Sequence, residues 1–205
     1  MSAFFGRIFF RGIAAVARFY VSLPDMEASV HIIDSARVAD TAGRHDIKTL
    51  CGLCPRYGMR WGCPPFDAAP APWAQFDSVA IITLEVPASA DLRLLRRRAE
   101  ALLRRLETRC GGMMCALPGD CPYCGAQPCT RPSGYQCRHP AKVRPSLEAL
   151  GVDVCALLRD CLGRSMEWHA PRLILVGAVF FNRDKADEAA VTALRRALRR
   201  LPPAD

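Results

Sequence analysis

The stretch VAIITLEVPASADLRLLRRRAEALLRRLE, residues 79–107, predicts how this chain of 205 residues builds its fold. Its first eight residues form an apolar, β-branched run with the length of a buried strand. Pro87 ends that run, and Ser89 or Asp91 can cap the helix that follows. The apolar stripe of this helix consists of Leu95, Ala99, Leu102 and Leu106. The stretch therefore predicts a strand followed by an amphipathic helix.

The same order of elements recurs near the end of the sequence. RLILVGAVFF, Arg172–Phe181, predicts a second strand, and residues 182–184 predict a turn or a cap. A helix is expected next, with an apolar stripe at Ala190, Leu194, Ala197 and Leu201. Two strand-then-helix units predict an α/β or α+β fold in which helices cover a small sheet.

A further helical signal lies in RPSLEALGVDVCALLRDCLG, residues 144–163. Ser146 can cap a short helix that Gly151 ends, and Asp153 can cap a second helix that Gly163 ends. Cys155 and Cys161 lie on the second helix beside leucines, so we interpret them as packing residues.

The amino-terminal residues 1–24 are apolar and aromatic but are interrupted by Arg7, Arg11 and Arg18. A secretory signal or a membrane-spanning helix needs an unbroken apolar core, so neither is predicted. Several apolar residues fall near one helical face: Phe5, Ile8, Phe9, Ile13, Val16 and Ala17. We interpret residues 1–40 as an apolar, amphipathic segment docked on a single domain at 41–205. The alternative is a peripheral membrane or partner contact through residues 1–22.

The composition indicates whether the cysteines form disulfides or bind a metal. With 51% hydrophobic residues and a mean hydropathy of +0.06, the chain can bury a core without disulfide support. Its eleven cysteines are an odd number and cannot all pair with one another. Clustered C-x2-C spacings fit thiolate metal ligands in a reducing compartment, so we expect a cytoplasmic metal-binding protein.

The first cysteine set lies in CGLCPRYGMRWGCPP, residues 51–65, and consists of Cys51, Cys54 and Cys63. Two intervening residues let the first two sulfurs face one metal, and the loop is long enough to return the third. Three thiolates are one fewer than a closed zinc or iron–sulfur site uses. An exogenous ligand or a substrate can fill the fourth position, and the candidates from the protein are His45, Cys110 and Cys115. For the two cysteines, packing in the core is the favoured role.

The second set lies in CPYCGAQPCTRPSGYQC, residues 121–137, and consists of Cys121, Cys124, Cys129 and Cys137. The loop contains glycines and prolines without apolar periodicity, so a metal is needed to organise this insertion at about residues 110–145. Zinc sites commonly use two C-x2-C pairs, whereas this set has one. Sequential cysteines near prolines favour an iron–sulfur cluster, with Zn as the alternative. His139 can orient this site or be an ordinary loop histidine.

The net charge of +8 comes mainly from arginines on the predicted helices. These arginines lie opposite the leucine stripes and have no interleaved aromatic residues, so nucleic-acid binding is disfavoured. An ordinary solvated surface is the favoured interpretation. A docking face for an acidic redox partner is also consistent with the charge.

The motif combination resembles one family. Cys51-x2-Cys54, Tyr57-Gly58, Trp61 and Cys63-Pro64-Pro65, followed by the quartet and RPSLEALGVDV, is similar to the bacterial and archaeal predicted metal-binding proteins called DUF2284. The resemblance covers about residues 40–181. It implies a metal centre, iron–sulfur in character, in redox metabolism, but no particular reaction. The matching ligand positions are Cys51, Cys54, Cys63, Cys121, Cys124, Cys129 and Cys137.

Two departures from the family pattern concern the quartet and the amino terminus. The family has C-x2-C-x2-C in the quartet, whereas four residues separate Cys124 from Cys129 here. The long apolar amino terminus is also not part of the pattern. The geometry around Cys129 is therefore expected to differ from that of the family.

These observations lead to a hypothesis of two [4Fe-4S] clusters. The quartet would hold a fully ligated cluster for electron transfer or structure, and the three-cysteine site a cluster with one iron open to a small ligand. Arg56, Tyr57 and Arg60 are the catalytic candidates: the arginines would attract an anionic or sulfur-containing ligand, and Tyr57 with Trp61 would exclude water. Plain solvation of the arginines and loop packing of the aromatic residues are the alternatives.

Three other hypotheses remain open. A zinc protein would use both sites to stabilise the loops and would act as an interaction module. An iron–sulfur scaffold or metallochaperone would use the open site for transfer. In the third, both cysteine sets converge on one composite cluster.

Overall fold

A computed structural model of the protein describes residues 17–23, 26–43, 46–67, 71–119, 121–166 and 171–185. Its strands are β1 (Ala17–Leu23), β2 (Met26–Asp34), β3 (Ser78–Pro87), β4 (Met113–Cys115) and β5 (Arg172–Phe181). Its α-helices are α1 (Ser35–Ala39), α2 (Ile47–Gly52), α3 (Leu92–Cys110) and α4 (Val154–Leu162). Short 3₁₀ helices span Pro72–Ala74, Arg131–Ser133, Glu148–Leu150 and Arg183–Lys185.

The five strands form one sheet in the order β1-β2-β3-β5-β4. Every neighbouring pair is antiparallel; for example, Ile82 of β3 pairs with Val30 of β2 and Gly177 of β5. An antiparallel sheet with helices on its faces is an α+β fold. The expectation of a small sheet covered by helices is confirmed, and its α+β form is the correct one.

The central strand β3 is buried on both sides, as its continuous apolar run predicts. Ala80, Ile82 and Leu84 contribute to the core beneath α3, whereas Val79 and Ile81 contribute to the core beneath α4. Successive strand residues point to opposite faces, so one strand supplies both cores.

Helix α3 begins as the sequence indicates but continues to Cys110, three residues beyond the predicted end, and its buried stripe differs at one position. Asp91 Oδ1 accepts hydrogen bonds from the backbone amides of Arg93 and Leu94, each at 3.0 Å. Leu103 is buried, whereas Leu102, which the sequence placed in the stripe, is only half-buried. Gly177 explains this outcome, because a Cβ there would stand 2.9 Å from Leu103 Cδ1. The absence of a side chain at Gly177 thus leaves room for Leu103 to pack on the sheet.

The segment before α4 confirms its predicted caps. Ser146 Oγ accepts a hydrogen bond from the Ala149 amide at 3.3 Å, and Asp153 Oδ1 accepts one from the Ala156 amide at 2.9 Å. Gly151 and Gly163 follow the two helices with positive φ, the conformation that glycine adopts at helix ends.

The amino-terminal helix prediction fails from Ala17 onward. Ala17 opens β1, which pairs with β2 throughout, so residues 17–23 and 26–34 belong to the sheet. Cross-strand backbone hydrogen bonds, which sequence periodicity does not register, decide this conformation. Residues 1–16 and the helix predicted around Ala190 and Leu201 lie outside the described residues. Within the described ranges, no helix is both long and apolar enough to cross a bilayer.

Candidate metal centre

The first cysteine loop starts at α2, which places Cys51 in its last turn. Asp46 caps this helix by accepting a hydrogen bond from the Thr49 amide at 3.0 Å. Two successive turns follow, in which the amide of Cys54 donates to Cys51 O and the amide of Tyr57 donates to Cys54 O, at 3.0 and 2.9 Å. The chain therefore winds tightly around the C-x2-C pair.

A second contact brings Cys63 back to the pair. The amide of Gly58 donates to Pro64 O at 2.8 Å, which closes the loop between Cys54 and Cys63. Gly58 has a φ of +69°, a conformation that few other residues adopt without strain. The three thiols of this site are all half-buried.

The charges of these thiols act on one another. Burial is the largest cause that raises the pKa of Cys63. The neighbouring Cys54 and Cys51 raise this pKa further, whereas Arg56 and Arg131 lower it. Burial also raises the pKa of Cys51, with Glu148 and then Cys54 as the next causes. The sequence prediction that Cys51, Cys54 and Cys63 come together is therefore consistent with their mutual electrostatic influence.

The quartet loop places its four cysteines around one cavity of about 670 Å³. The cysteines, all half-buried, are Cys121, Cys124, Cys129 and Cys137. The long spacing between the second and third cysteines therefore does not remove Cys129 from the cavity. Burial is the main cause that raises the pKa of Cys121, and the charges of Glu100, Cys124 and Cys137 raise it further.

Two hydrogen-bond donors lie beside the sulfurs of the quartet. The backbone amide of His139 donates to Cys137 Sγ at 3.4 Å, so this histidine contacts the site through its main chain. Arg138 Nη1 stands 4.0 Å from Cys124 Sγ and donates to Pro128 O at 2.8 Å. Donors to cysteine sulfur stabilise negative charge there and tune the potential of a bound cluster.

Arginines form the other wall of the quartet cavity. Arg93, Arg96 and Arg97 line it from the first turns of α3, and Arg60 and Trp61 line it from the first cysteine loop. None of the described residues that line the cavity is acidic. The wall of the cavity that faces the quartet is therefore positively charged.

Arg131 clamps the two cysteine loops together. Its guanidinium donates to the carbonyl oxygen of Arg60 at 2.6 Å and also to those of Cys63 and Pro65. It lies over the ring of Trp61, 5.3 Å from the centroid. The indole Nε1 of Trp61 in turn donates to Thr130 Oγ1 at 3.2 Å. The second loop thus fixes the backbone that carries Cys63.

The two cysteine sets meet at a small cavity of about 50 Å³, which both Cys63 and Cys121 line. Tyr123 and Glu100 border the same cavity. The Tyr123 hydroxyl donates to Glu100 Oε2 at 3.0 Å and accepts a hydrogen bond from Arg104 Nη2 at 2.7 Å. This network ties the quartet loop to α3.

The structure places the other cysteines away from both loops or at their margins. Cys110 and Cys115 are 2% and 0% exposed and belong to the hydrophobic cores, as the sequence favoured. Burial also raises the pKa of the Cys115 thiol, which makes it a poor ligand. Cys161 packs against the core beneath α4, and half-buried Cys155 lies 4.0 Å from Met166 Sδ. His45 lies outside the described residues.

The catalytic candidates occupy different environments. Arg56 and Tyr57 are exposed, whereas Arg60 is half-buried and lines both cavities. Tyr57 is 41% exposed, whereas Trp61 is half-buried. Sequence reasoning missed Arg131, because its partners are backbone carbonyls about 70 residues away, for which no motif exists.

The donor set consists of three thiols in one loop and four in the other, a chemistry that suits zinc and iron–sulfur clusters. Across the part of the chain that the structure describes, no three His, Cys, Asp or Glu side chains stand close enough together to hold a single metal ion. The residue types therefore fit a metal, while their spacing is wider than that of a preformed one-ion site.

Comparison with known proteins agrees with these observations. The chain matches no curated protein and no solved structure. The model of one family, described as predicted metal-binding protein (DUF2284), matches residues 36–181. That range contains all but the first residue of α1, together with α2, both cysteine loops, α3, α4 and strands β3 to β5. The chain therefore belongs to the predicted metal-binding protein family DUF2284.

Proposed function

We propose that this protein is a cytoplasmic iron–sulfur protein that uses its two cysteine sets as separate but adjacent [4Fe-4S] sites. The observation that carries the proposal is the shared border of the sets. Cys63 and Cys121 line one small cavity, and Arg131 of the quartet loop holds the backbone of Cys63. Two centres this close suit electron exchange between them.

The cavity that the quartet thiols share supports an iron–sulfur cluster over zinc. A zinc ion draws its four ligands to a single point, whereas each thiolate of a cluster binds a different iron. Cluster sulfurs therefore stand further apart than those around one ion. The four quartet thiols line one cavity of about 670 Å³, which fits the wider arrangement.

The quartet is proposed to transfer electrons. When bound, a fully ligated cluster supplies one-electron chemistry without an open coordination position. The protein contributes the sulfurs, the amide of His139 and the guanidinium of Arg138, which lower the energy of added negative charge. The arginines of α3 at the cavity suit an acidic redox partner protein.

The three-cysteine site is proposed to receive a small anionic or sulfur-containing ligand. Its cluster would leave one iron without a thiolate, and Arg56 lies close enough to lower the pKa of Cys63. Arg56 and Arg60 would orient an anion, while Trp61 would exclude water on one side. Tyr57 would act at the solvent margin, given its exposure.

Metal analysis of protein purified without oxygen tests the proposal. Two clusters predict about eight irons per chain and a brown colour. Substituting Cys63→Ser should halve the iron content, whereas Cys161→Ser, a half-buried cysteine outside both loops, should leave it unchanged. Stoichiometric zinc without iron would refute the proposal. Loss of all iron from Cys63→Ser alone would instead favour one composite cluster.

A second candidate function is supported by the apolar surface of the first loop. Leu50, Leu53 and Met59 are 60%, 79% and 43% exposed around the three cysteines. Exposed apolar side chains commonly mark protein contacts, so the site suits a scaffold or metallochaperone that delivers its cluster. Transfer of iron and sulfide to an apo-ferredoxin, abolished by Leu53→Asp, would identify this role.

A further inference from the structure

Every large apolar side chain that is exposed among the described residues belongs to one of the two cysteine loops. These side chains are Leu50, Leu53, Tyr57, Met59 and Tyr135. Soluble proteins rarely gather exposed apolar groups in one region unless that region contacts another molecule. We propose that residues 50–66 and 121–147, which we call the loop face, dock an acidic protein partner that presents apolar side chains among its Asp and Glu residues.

Contacts between the two loops make the loop face one surface. A Cβ at Gly62 of the first loop would stand 3.1 Å from the carbonyl oxygen of Arg144 in the second, so the two backbones lie against each other there. The indole of Trp61 donates to Thr130 Oγ1 at 3.2 Å, and the guanidinium of Arg131 lies over its ring. The apolar side chains of both loops are therefore carried by one connected unit.

The two most exposed of these side chains project from backbone that is held in place. Leu53 follows α2, and its amide donates to Thr49 O and Leu50 O, each at 3.2 Å. The amide of Tyr135 donates to Thr130 O at 3.3 Å within a short turn of the second loop. Leu53 and Tyr135 are nevertheless 79% and 71% exposed. Apolar anchors on an ordered backbone lose little conformational freedom on binding, which favours a contact with a protein.

The loop face carries positive charge, and neither of its loops contains Asp or Glu. The cations of the two loops are Arg56, Arg60, Arg131, Arg138, Lys142 and Arg144. Of these, Arg56, Arg138 and Lys142 are exposed. Exposed Arg93 and Arg97 of α3 extend the positive surface along the wall of the quartet cavity. Such a face attracts a partner surface of opposite charge and raises the rate of encounter with it.

The residue types favour a protein over other negatively charged partners. Arginine outnumbers lysine among the loop cations, and tyrosine, tryptophan and methionine accompany them. The cores of protein–protein interfaces are enriched in these residues and depleted of Asp, Glu and Lys. The aliphatic side chains of Leu50, Leu53 and Met59 gain little from the phosphates that dominate nucleic-acid binding. A second copy of this chain is disfavoured, because two positive faces repel each other.

The docking face deepens the proposed function, because it names the chemistry of the partner that would receive electrons or a cluster. It rests on that function only for the purpose of the contact. The exposed side chains and the charges define the face whichever metal the loops hold.

Three short synthetic peptides test the recognition of charge and of apolar groups separately. The first consists of Glu and Leu, the second has Gln in place of each Glu, and the third has Ser in place of each Leu. With the full-length protein as purified, we expect the Glu/Leu peptide to bind saturably. The Kd of each of the other two should be at least about tenfold higher. Fluorescence anisotropy of the labelled peptides at low salt measures all three.

Substitution of the two anchors locates the binding on the loop face. Leu53→Ser/Tyr135→Ser removes apolar surface without changing the net charge and should raise the Kd of the Glu/Leu peptide at least about tenfold. Both side chains are mostly exposed, so their truncation removes little packing. Metal analysis of the variant checks that its loops are intact. Where the variant loses metal, the comparison of the three peptides decides, since it needs no substitution.

A matched pair of charge variants tests the position of the positive surface. Arg56→Gln/Lys142→Gln removes two exposed charges of the loop face and should raise the Kd at least about threefold. Arg105→Gln/Arg109→Gln removes two exposed charges from α3 outside the loop face and should have a much smaller effect.

Absence of saturable binding by the Glu/Leu peptide would overturn the inference. So would an unchanged Kd in a metal-replete Leu53→Ser/Tyr135→Ser protein, or equal losses in the two charge variants. Tighter, anchor-dependent binding to vesicles of phosphatidylglycerol and phosphatidylcholine in equal parts would assign the face to a membrane instead, and tighter binding to oligothymidylate would assign it to nucleic acid. Failure of the proposed function would appear differently, as zinc in place of iron with the peptide binding intact.

Discussion

The guanidinium of Arg131 donates a hydrogen bond to the carbonyl oxygen of Cys63, which lies 68 residues earlier in the chain. The same group holds the carbonyls of Arg60 and Pro65 and stacks over Trp61. A planar fork with several donors suits this task, whereas a lysine ammonium offers only a point charge. The three-cysteine site therefore depends on a residue of the quartet loop.

Loss of this clamp should loosen the three-cysteine site selectively. We expect Arg131→Lys to speed iron release from that site to a chelator by about tenfold, because mispositioned ligands hold metal less tightly. The quartet should keep its iron. The measurement is the release of iron over time in the presence of a ferrous chelator, followed by absorption.

The control for this prediction is Tyr135→Ala, a change in the same loop at a side chain that is 71% exposed. It should release iron at the rate of the unaltered protein. Equal release rates for Arg131→Lys and the unaltered protein would show that the clamp does not position Cys63.

Charge reversal at the quartet cavity should weaken the binding of an acidic redox partner. Arg93 and Arg97 line the cavity, whereas Arg98 and Arg105 of the same helix do not. We expect Arg93→Glu/Arg97→Glu to raise the Kd for an acidic plant-type ferredoxin by at least about tenfold. The Arg98→Glu/Arg105→Glu pair, with the same change in net charge, should have a much smaller effect. Calorimetric titration at low salt measures the Kd of both double variants. A similar rise in Kd for the two would indicate a diffuse charge effect.

Thiol reactivity should separate core cysteines from loop cysteines. Cys115 is fully buried and its pKa is raised by burial, so little of the reactive thiolate is present at neutral pH. In folded, metal-free protein we expect iodoacetamide to modify Cys124 and Cys129 well before Cys110 and Cys115. Mass spectrometry of the digested protein gives the order. Rapid labelling of Cys115 in the folded state would contradict its place in the core.

The raised pKa of Cys115 also has a consequence for stability. The folded state binds this proton more tightly than the unfolded state, in which the thiol has its ordinary pKa of about 8.5. The free energy of unfolding should therefore fall as the pH rises above about 8.5. A Cys115→Ala variant should lose that part of the pH dependence, which denaturant unfolding at several pH values measures. An identical pH dependence in the variant would assign the effect to other groups.

Truncation of two neighbouring leucines tests the packing of α3. Leu103 is 2% exposed and packs over Gly177, whereas Leu102 is only half-buried. We expect Leu103→Ala to lower the free energy of unfolding by about 2–5 kcal/mol. Leu102→Ala should lower the free energy of unfolding clearly less, since part of the Leu102 surface already faces water. Denaturant unfolding measures the difference, and equal losses would favour the stripe that the sequence alone suggested.

Local signals in the sequence predicted much of the fold. The bounds of β5 match the apolar run, and the caps at Asp91 and Asp153 accept the expected amide hydrogen bonds. These features depend on residues within a few positions of one another, which is why a sequence reveals them. The strand at Ala17 was missed because its conformation depends on pairing with β2. Leu103 was missed because a glycine on β5, 74 positions further along the chain, makes room for it.

The sequence by itself determined which atoms are available for chemistry: seven loop cysteines in two sets, in a family of predicted metal-binding proteins. The tertiary structure alone decided that Cys63 and Cys121 line one cavity, that Arg131 holds the first loop and that the backbone of Glu148 lies beside Cys51. The physical reason is the range of the interactions. Spacing along a loop fixes which thiols can share one site, whereas contacts between distant segments arise only when the sheet and its helices bury their common core.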